Sequence, residues 1–203
     1  MGEAVGIMGG TFDPIHFGHL VAAEEAWLRF GLGRVVFVAN GEPPHKKGYP
    51  VTPAERRHEM VVLATASNPH FEASRIEVDR PGPSYAVDTL RALRAELGPG
   101  AKLYFITGVD AIAEIATWRE PERLGELCEF IAVSRPGSGR EALEGLGGQL
   151  AGRVHLLEIP GVAVSSTEVR RRAGAGESLR YLTPPAVARY IARCELYRNR
   201  GVV

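Results

Sequence analysis

Six short apolar runs rich in β-formers, Ala4–Met8, Arg34–Ala39, Phe71–Val78, Lys102–Thr107, Glu129–Val133 and Val154–Ile159, alternate with segments of helical period along the 203 residues. That alternation is the pattern of a parallel sheet covered on both faces, so the expectation is an α/β chain on a doubly wound parallel sheet. Sheets of this kind hold ligands at the carboxyl ends of their strands. A hydrophobic content of 45% suits one substantial core. We expect a single domain over residues 1–203, with a small helical C-terminal subregion from about 165 to 203.

The 24 basic and 24 acidic residues cancel. There is then no global basic field of the kind that marks a nonspecific nucleic-acid binder, and any anion site has to be local. Apolar stretches are far shorter than the ~20 residues a membrane helix needs, and the N-terminus lacks the features of a signal peptide. The expectation is a cytoplasmic chain with no nucleic-acid or membrane partner. Cys128 and Cys194 fall in no metal-ligand or redox spacing and read as reduced apolar fillers. Only Lys46, Lys47 and Lys102 are lysine, and the first two stand together in a proline-rich polar loop, Gly41–Tyr49.

Helix starts are well signalled. Thr52-Pro53-Ala54-Glu55 and Ser165-Ser166-Thr167-Glu168 both fit the capping box, the first with proline at the first helical position. Ser84 is expected to cap a third helix running to about Leu97, and Pro184–Cys194 reads as a short amphipathic helix. Pro136–Gly148 and Gly174–Glu177 are the hinge or linker candidates.

The first apolar run leads directly into Gly9-Gly10-Thr11-Phe12-Asp13-Pro14-Ile15-His16-Phe17-Gly18-His19-Leu20. Glycines let backbone approach a ligand, and Thr11 adds a hydroxyl and an N–H. If a helix begins between Pro14 and Phe17, His16 and His19 share one face near its positive end, where two imidazole donors would meet a polyphosphate. The stretch is neither a Walker loop nor a GxGxxG fingerprint. The ordinary alternative, glycines in a tight turn with histidines that cap or pack, stays open on this segment alone. Asp13 reads as a turn stabiliser and not as a catalytic base.

His-Phe-Gly-His behind Gly-Gly-Thr-Phe-Asp-Pro resembles the HxGH signature of the nucleotidylyltransferase superfamily. Val164-Ser165-Ser166-Thr167-Glu168-Val169-Arg170 resembles that superfamily's C-terminal Ile-Ser-Ser-Thr-x-Ile-Arg motif, with valines at both isoleucine positions. Between them, the residues resemble the nicotinate mononucleotide adenylyltransferase family: Asn40 through Pro43-Pro44-His45-Lys46, Ser84-Tyr85-Ala86-Val87-Asp88-Thr89-Leu90, Gly108-Val109-Asp110, Trp118-Arg119 and Ser134-Arg135-Pro136-Gly137. The family often carries threonine where this chain has Ala86.

The resemblance implies a Rossmann-like fold and transfer of the adenylyl group of ATP to nicotinate mononucleotide. His16 and His19 would be catalytic, neutralising charge on the triphosphate. Gly9, Gly10, Thr11, Gly108 and Asp110 would bind ATP, joined by Ser134, Arg135, Ser166, Thr167 and Arg170. Nicotinate mononucleotide would meet Phe12, Asn40, His45 and Lys46, the last three around its phosphate. Its pyridine ring would meet Ser84, Tyr85, Ala86, Val87, Trp118 and Arg119. Mg²⁺ would arrive on the ATP phosphates, with no protein metal site. Whether the chain acts as a homo-oligomer is left open. The alternatives are a phosphopantetheine adenylyltransferase, a nucleotide-sensing module without turnover, and a fragment of an HIGH-type aminoacyl-tRNA synthetase, for which 203 residues leave little room.

Overall fold

The computed structural model describes residues 2–44, 50–134, 150 and 152–198. Six strands, β1 (Ala4–Gly10), β2 (Arg34–Ala39), β3 (Phe71–Ser74), β4 (Lys102–Gly108), β5 (Glu129–Ser134) and β6 (Val154–Glu158), form one sheet in the order β3-β2-β1-β4-β5-β6. Every neighbouring pair is parallel. Strand order runs outward in both directions from β1 and β4, so the two strands flank a topological switch point, where doubly wound sheets open a crevice.

Helices cover both faces, and the strand alternation decides which residues meet them. Met8, Val35, Phe37, Tyr104, Ile106 and Ile131 pack in one core with α1 (Phe17–Phe30), α2 (Ala54–Thr65), α6 (Ser166–Gly174) and α7 (Pro185–Arg193). Their strand neighbours Val5, Ile7, Val36, Val38, Leu103 and Phe105 pack in a second core on the other face, against α3 (Ala86–Leu97), α4 (Val109–Ala113) and α5 (Pro121–Leu127). The doubly wound expectation is therefore met residue by residue, because period-two side chains can fill two separate cores only if helices lie on both sides.

Three local expectations are corrected. β3 ends at Ser74, four residues short of the expected Val78, because the Ser74 hydroxyl accepts from the Ile76 N–H and turns the chain. Thr52 does not cap α2; Pro53 occupies the cap position and the Thr52 N–H is drawn instead to the Asp13 carboxylate at 3.2 Å. Ser84 does not cap α3, whose cap residue is Tyr85; the Ser84 hydroxyl accepts from the Gly41 N–H at 2.9 Å. Ser165 caps α6 as expected, its hydroxyl accepting from the Glu168 N–H. Such a cap contributes about 1 kcal/mol. Gly176, at φ +69°, makes the turn after α6, and α7 buries Val187, Tyr190 and Ile191. Pro136–Gly148 lies outside the described residues.

Candidate active site

Two clefts open at the carboxyl edge of the sheet. One, of about 530 Å³, is lined by Gly10, Thr11, Asn40, Phe105 and Thr107 from the strand ends, by Tyr85 and Ala86 at the start of α3, and by Trp118 and Arg119. The other, of about 840 Å³, is lined by His16, Gly18 and His19, by Ile106, Gly108 and Asp110, and by Ser134. Gly9 and Thr107 line both, so the clefts meet across the ends of β1 and β4. Alternation again decides the allocation: Phe105 belongs to the first cleft and Ile106 to the second.

His16 is the cap residue of α1 and is buried. Among the described residues its Nδ1 has no hydrogen-bond partner, and neither has the hydroxyl of buried Ser134 in the same cleft. Of the buried side-chain polar atoms left unpaired, these are the two that line this cleft, where a polar ligand can satisfy them. His19 stacks on His16 with ring centroids 3.8 Å apart, and its Nδ1 accepts from the His16 backbone N–H at 3.3 Å. The neutral His19 ring therefore carries its proton on Nε2 and is a donor without being charged.

Burial pushes the pKa of His16 down to about 4. Burial first, and the neighbouring His16 second, push His19 well below its ordinary range. Both rings are therefore neutral in the free protein at pH 7, imidazole donors that carry no charge of their own. Charge can appear on them only when a polyanion arrives to stabilise it. Glycine at position 18 makes room for this stack, because a Cβ there would stand 3.0 Å from the His16 ring and push it aside.

The strand-to-helix loop is braced from the C-terminal part of the chain. Arg170 Nη1 donates to the Asp13 carbonyl at 2.7 Å, and the Ser166 hydroxyl donates to the Pro14 carbonyl at 2.9 Å. Tyr197 donates its hydroxyl to the Asp13 carboxylate at 2.7 Å. Ser166, Thr167 and Arg170, expected on the ATP phosphates, thus reach the His-Phe-Gly-His loop, with Thr167 hydrogen-bonded to Arg170 at 3.3 Å. None of the three lines the histidine cleft. Asp13 is held by Thr52 and Tyr197, in agreement with a turn-stabilising role.

In the other cleft, Trp118 meets Phe105 edge-on at 5.8 Å, and the Arg119 guanidinium lies over the Tyr85 ring at 4.7 Å. Ser84, Tyr85, Ala86, Trp118 and Arg119 are brought together as expected. Among the described residues, the Ala86 and Val87 N–H groups at the start of α3 have no acceptor, although the Val87 side chain is buried in the core. Phe12 departs from expectation: its side chain is buried and packs edge-on against His19 at 5.0 Å, outside the cleft. Arg135, His45 and Lys46 lie outside the described residues.

Sequence reasoning missed Phe105, Thr107, Glu77 and Arg57. The alternation of β4 carried the signal for the first two; the last two gave none. Arg57 is buried and donates to three carbonyls, Thr52 at 2.7 Å, Thr11 at 2.8 Å and Gly41 at 3.0 Å. One guanidinium thereby ties the loop after β1 to the turn after β2. Among the described residues no three His, Cys, Asp or Glu side chains converge as metal ligands, and Asp110 is the one carboxylate lining the histidine cleft. That donor set fits a hard cation which keeps most of its oxygen ligands from water and phosphate.

Comparison with known proteins bears on the family and the fold. Residues 7–172 match the "Cytidylyltransferase-like" family. A protein of Moorella thermoacetica named "Probable nicotinate-nucleotide adenylyltransferase" is 54% identical over 200 residues, covering 97% of this chain and 92% of the relative. One of the same name from Symbiobacterium thermophilum is 54% identical over 197 residues, covering 95% and 94%. Among solved structures, Plasmodium falciparum nicotinic acid mononucleotide adenylyltransferase complexed with NaAD superposes with a TM-score of 0.79 at 22% identity, over 96% of this chain and 97% of that one. At that identity the superposition speaks for the fold.

Proposed function

The chain belongs to the cytidylyltransferase-like family, and within it to the nicotinate-nucleotide adenylyltransferases, and we propose from this premise how its two clefts divide the reaction. ATP occupies the histidine cleft and nicotinate mononucleotide the cleft of Trp118. The 5′-phosphate of the mononucleotide attacks the α-phosphorus of ATP in line. A P–O bond forms as the bond to the β-phosphate bridging oxygen breaks, giving nicotinic acid adenine dinucleotide and pyrophosphate. The acceptor is already an anion, so no general base is needed. Rate comes from positioning and charge stabilisation.

The observation that carries this reading is the pair of orphaned buried polar atoms, His16 Nδ1 and Ser134 Oγ, beside the His19 donor in a cleft continuous with an aromatic one. His19 donates from Nε2 to the triphosphate, and proton uptake by the histidine pair accompanies ATP binding. Arg170 and Ser166 hold the loop beneath the histidines. Mg²⁺ would be the divalent cation, arriving on the ATP phosphates with Asp110 as the one carboxylate lining the cleft among the described residues, and would supply neutralisation of phosphate charge. Trp118 offers a π face to the pyridinium ring, and the free N–H groups of Ala86 and Val87 suit its carboxylate. Among the described residues no helix is long and apolar enough to cross a membrane, and the reaction belongs in the cytoplasm, where ATP is the common adenylyl donor.

The test is pyrophosphate release from ATP with nicotinate mononucleotide, nicotinamide mononucleotide or phosphopantetheine as acceptor. The expected kcat/KM is highest for the first. Equal use of the first two would remove the preference for the acid, and preference for phosphopantetheine would overturn the reading.

A further inference from the structure

Asn40 follows β2 and lines the aromatic cleft, and its amide is already committed. Its Nδ2 donates to Glu77 Oε2 at 2.8 Å. Glu77 is buried, 3% exposed, and receives the Thr89 hydroxyl on its other oxygen. Arg80 donates to Thr89 Oγ1 at 3.1 Å, which aims the hydroxyl proton at Glu77. Both Glu77 oxygens thus act as acceptors, and a carboxylate acting so fixes which end of an amide faces it.

The backbone fixes the rest. The Asn40 N–H donates to the Gly10 carbonyl at 2.9 Å, and the Gly41 N–H to Ser84 Oγ. Gly41 has no room for a side chain, because a Cβ would stand 2.3 Å from the Glu77 carbonyl oxygen. Turn and carboxylate are therefore one rigid unit. With Nδ2 turned to Glu77, the atom Asn40 offers the cleft is Oδ1, which has no partner among the described residues.

We infer that Glu77 is a positioning residue that holds Asn40 as a hydrogen-bond acceptor for a ribose hydroxyl of the mononucleotide. This rests on the proposed function, and the chemistry of that substrate narrows the contact. Its carboxylate and ionised phosphate are acceptors and its pyridinium nitrogen carries no proton, which leaves the ribose hydroxyls as its donors. Asn40 is thereby moved from the phosphate, where the sequence pattern puts it, to the sugar.

The experiment exchanges the two side chains. Calorimetric titration of nicotinate mononucleotide into the full chain is compared with Asn40→Asp, Glu77→Gln and the double variant, each with its thermal midpoint. Asn40→Asp sets two carboxylates against each other and is expected to raise Kd at least about tenfold. Glu77→Gln no longer dictates the amide's orientation and is expected to raise Kd severalfold. An effect of charge alone would instead tighten binding of this anion. The double variant restores one donor and one acceptor: the amide introduced at position 77 donates to the carboxylate introduced at position 40, whose second oxygen faces the cleft. Its Kd is expected within about threefold of the parent protein. A mononucleotide lacking both ribose hydroxyls should bind parent and variants alike.

Failure of the exchange to rescue binding, or tighter binding by Glu77→Gln, would overturn the inference. Unimpaired affinity for the analogue without hydroxyls would do the same. Parent protein that binds the mononucleotide but releases no pyrophosphate would count against the proposed function and not against this contact. Parent protein that binds none would overturn both.

Discussion

The two clefts share a sheet edge but solve opposite problems. In the histidine cleft polar atoms are left unpaired among the described residues: His16 Nδ1 and Ser134 Oγ are buried without partners there, and His19 keeps a free Nε2–H. In the aromatic cleft polar side chains are paired with one another before any ligand arrives, Asn40 with Glu77, Thr89 with Glu77 and Arg119 with Tyr85 and Asp88. Unpaired donors favour a polyanion through many equivalent contacts, whereas prepaired groups leave a single orientation open and so discriminate among small substrates. The first arrangement suits ATP, and the second suits a mononucleotide.

The largest effect is expected at Arg57, which ties the loop after β1, running from Thr11 towards His16, to the turn at Gly41. Arg57→Met would leave three part-buried carbonyls without their donor and open a gap at a buried side chain, and a loss of about 3 kcal/mol in unfolding free energy is expected by urea titration. A loss under 1 kcal/mol would mean that the two loops hold their positions unaided. Next in size is His19→Ala, which removes a preorganised donor and should lower kcat about 100- to 1,000-fold with little change in mononucleotide affinity. Near-normal turnover would remove the histidine cleft from the chemistry.

The smallest effect concerns protons. Burial holds His16 at a pKa of about 4, against 6.5 for the ordinary side chain. Above pH 6.5 folded and unfolded chains are both neutral at this position, and its contribution is fully present. As pH falls from 6.5 to 4 only the unfolded chain takes up the proton, so stability is lost across that window. Between pH 7 and 4.5, the parent protein should lose about 2 kcal/mol more unfolding free energy than His16→Gln. Equal losses would show that His16 titrates alike in folded and unfolded protein, and that burial does not hold it neutral.

The contrast also explains what could be read from the sequence. Strand positions followed from apolar period, and the bounds of β2 coincide with the expected Arg34–Ala39. Trp118, Tyr85 and the histidine pair were legible because each belongs to a contiguous pattern. What failed was local capping. Thr52 and Ser84 both look like helix caps over four residues, yet one is bound to Asp13 and the other to Gly41, partners 39 and 43 positions away. Arg57 looks like any arginine of an amphipathic helix until the Thr11 and Gly41 carbonyls converge on it. The neutrality of the histidines was equally hidden, because burial is a property of the packed loop and not of the motif.

The assignment of one substrate to each cleft is tested most directly by titrating nicotinate mononucleotide and ATP, separately, into Trp118→Ala. Loss of the aromatic face should raise the mononucleotide Kd at least about tenfold and leave the ATP Kd within about twofold. Weakened ATP binding with unchanged mononucleotide affinity would place the adenine nucleotide against Trp118 and contradict the assignment.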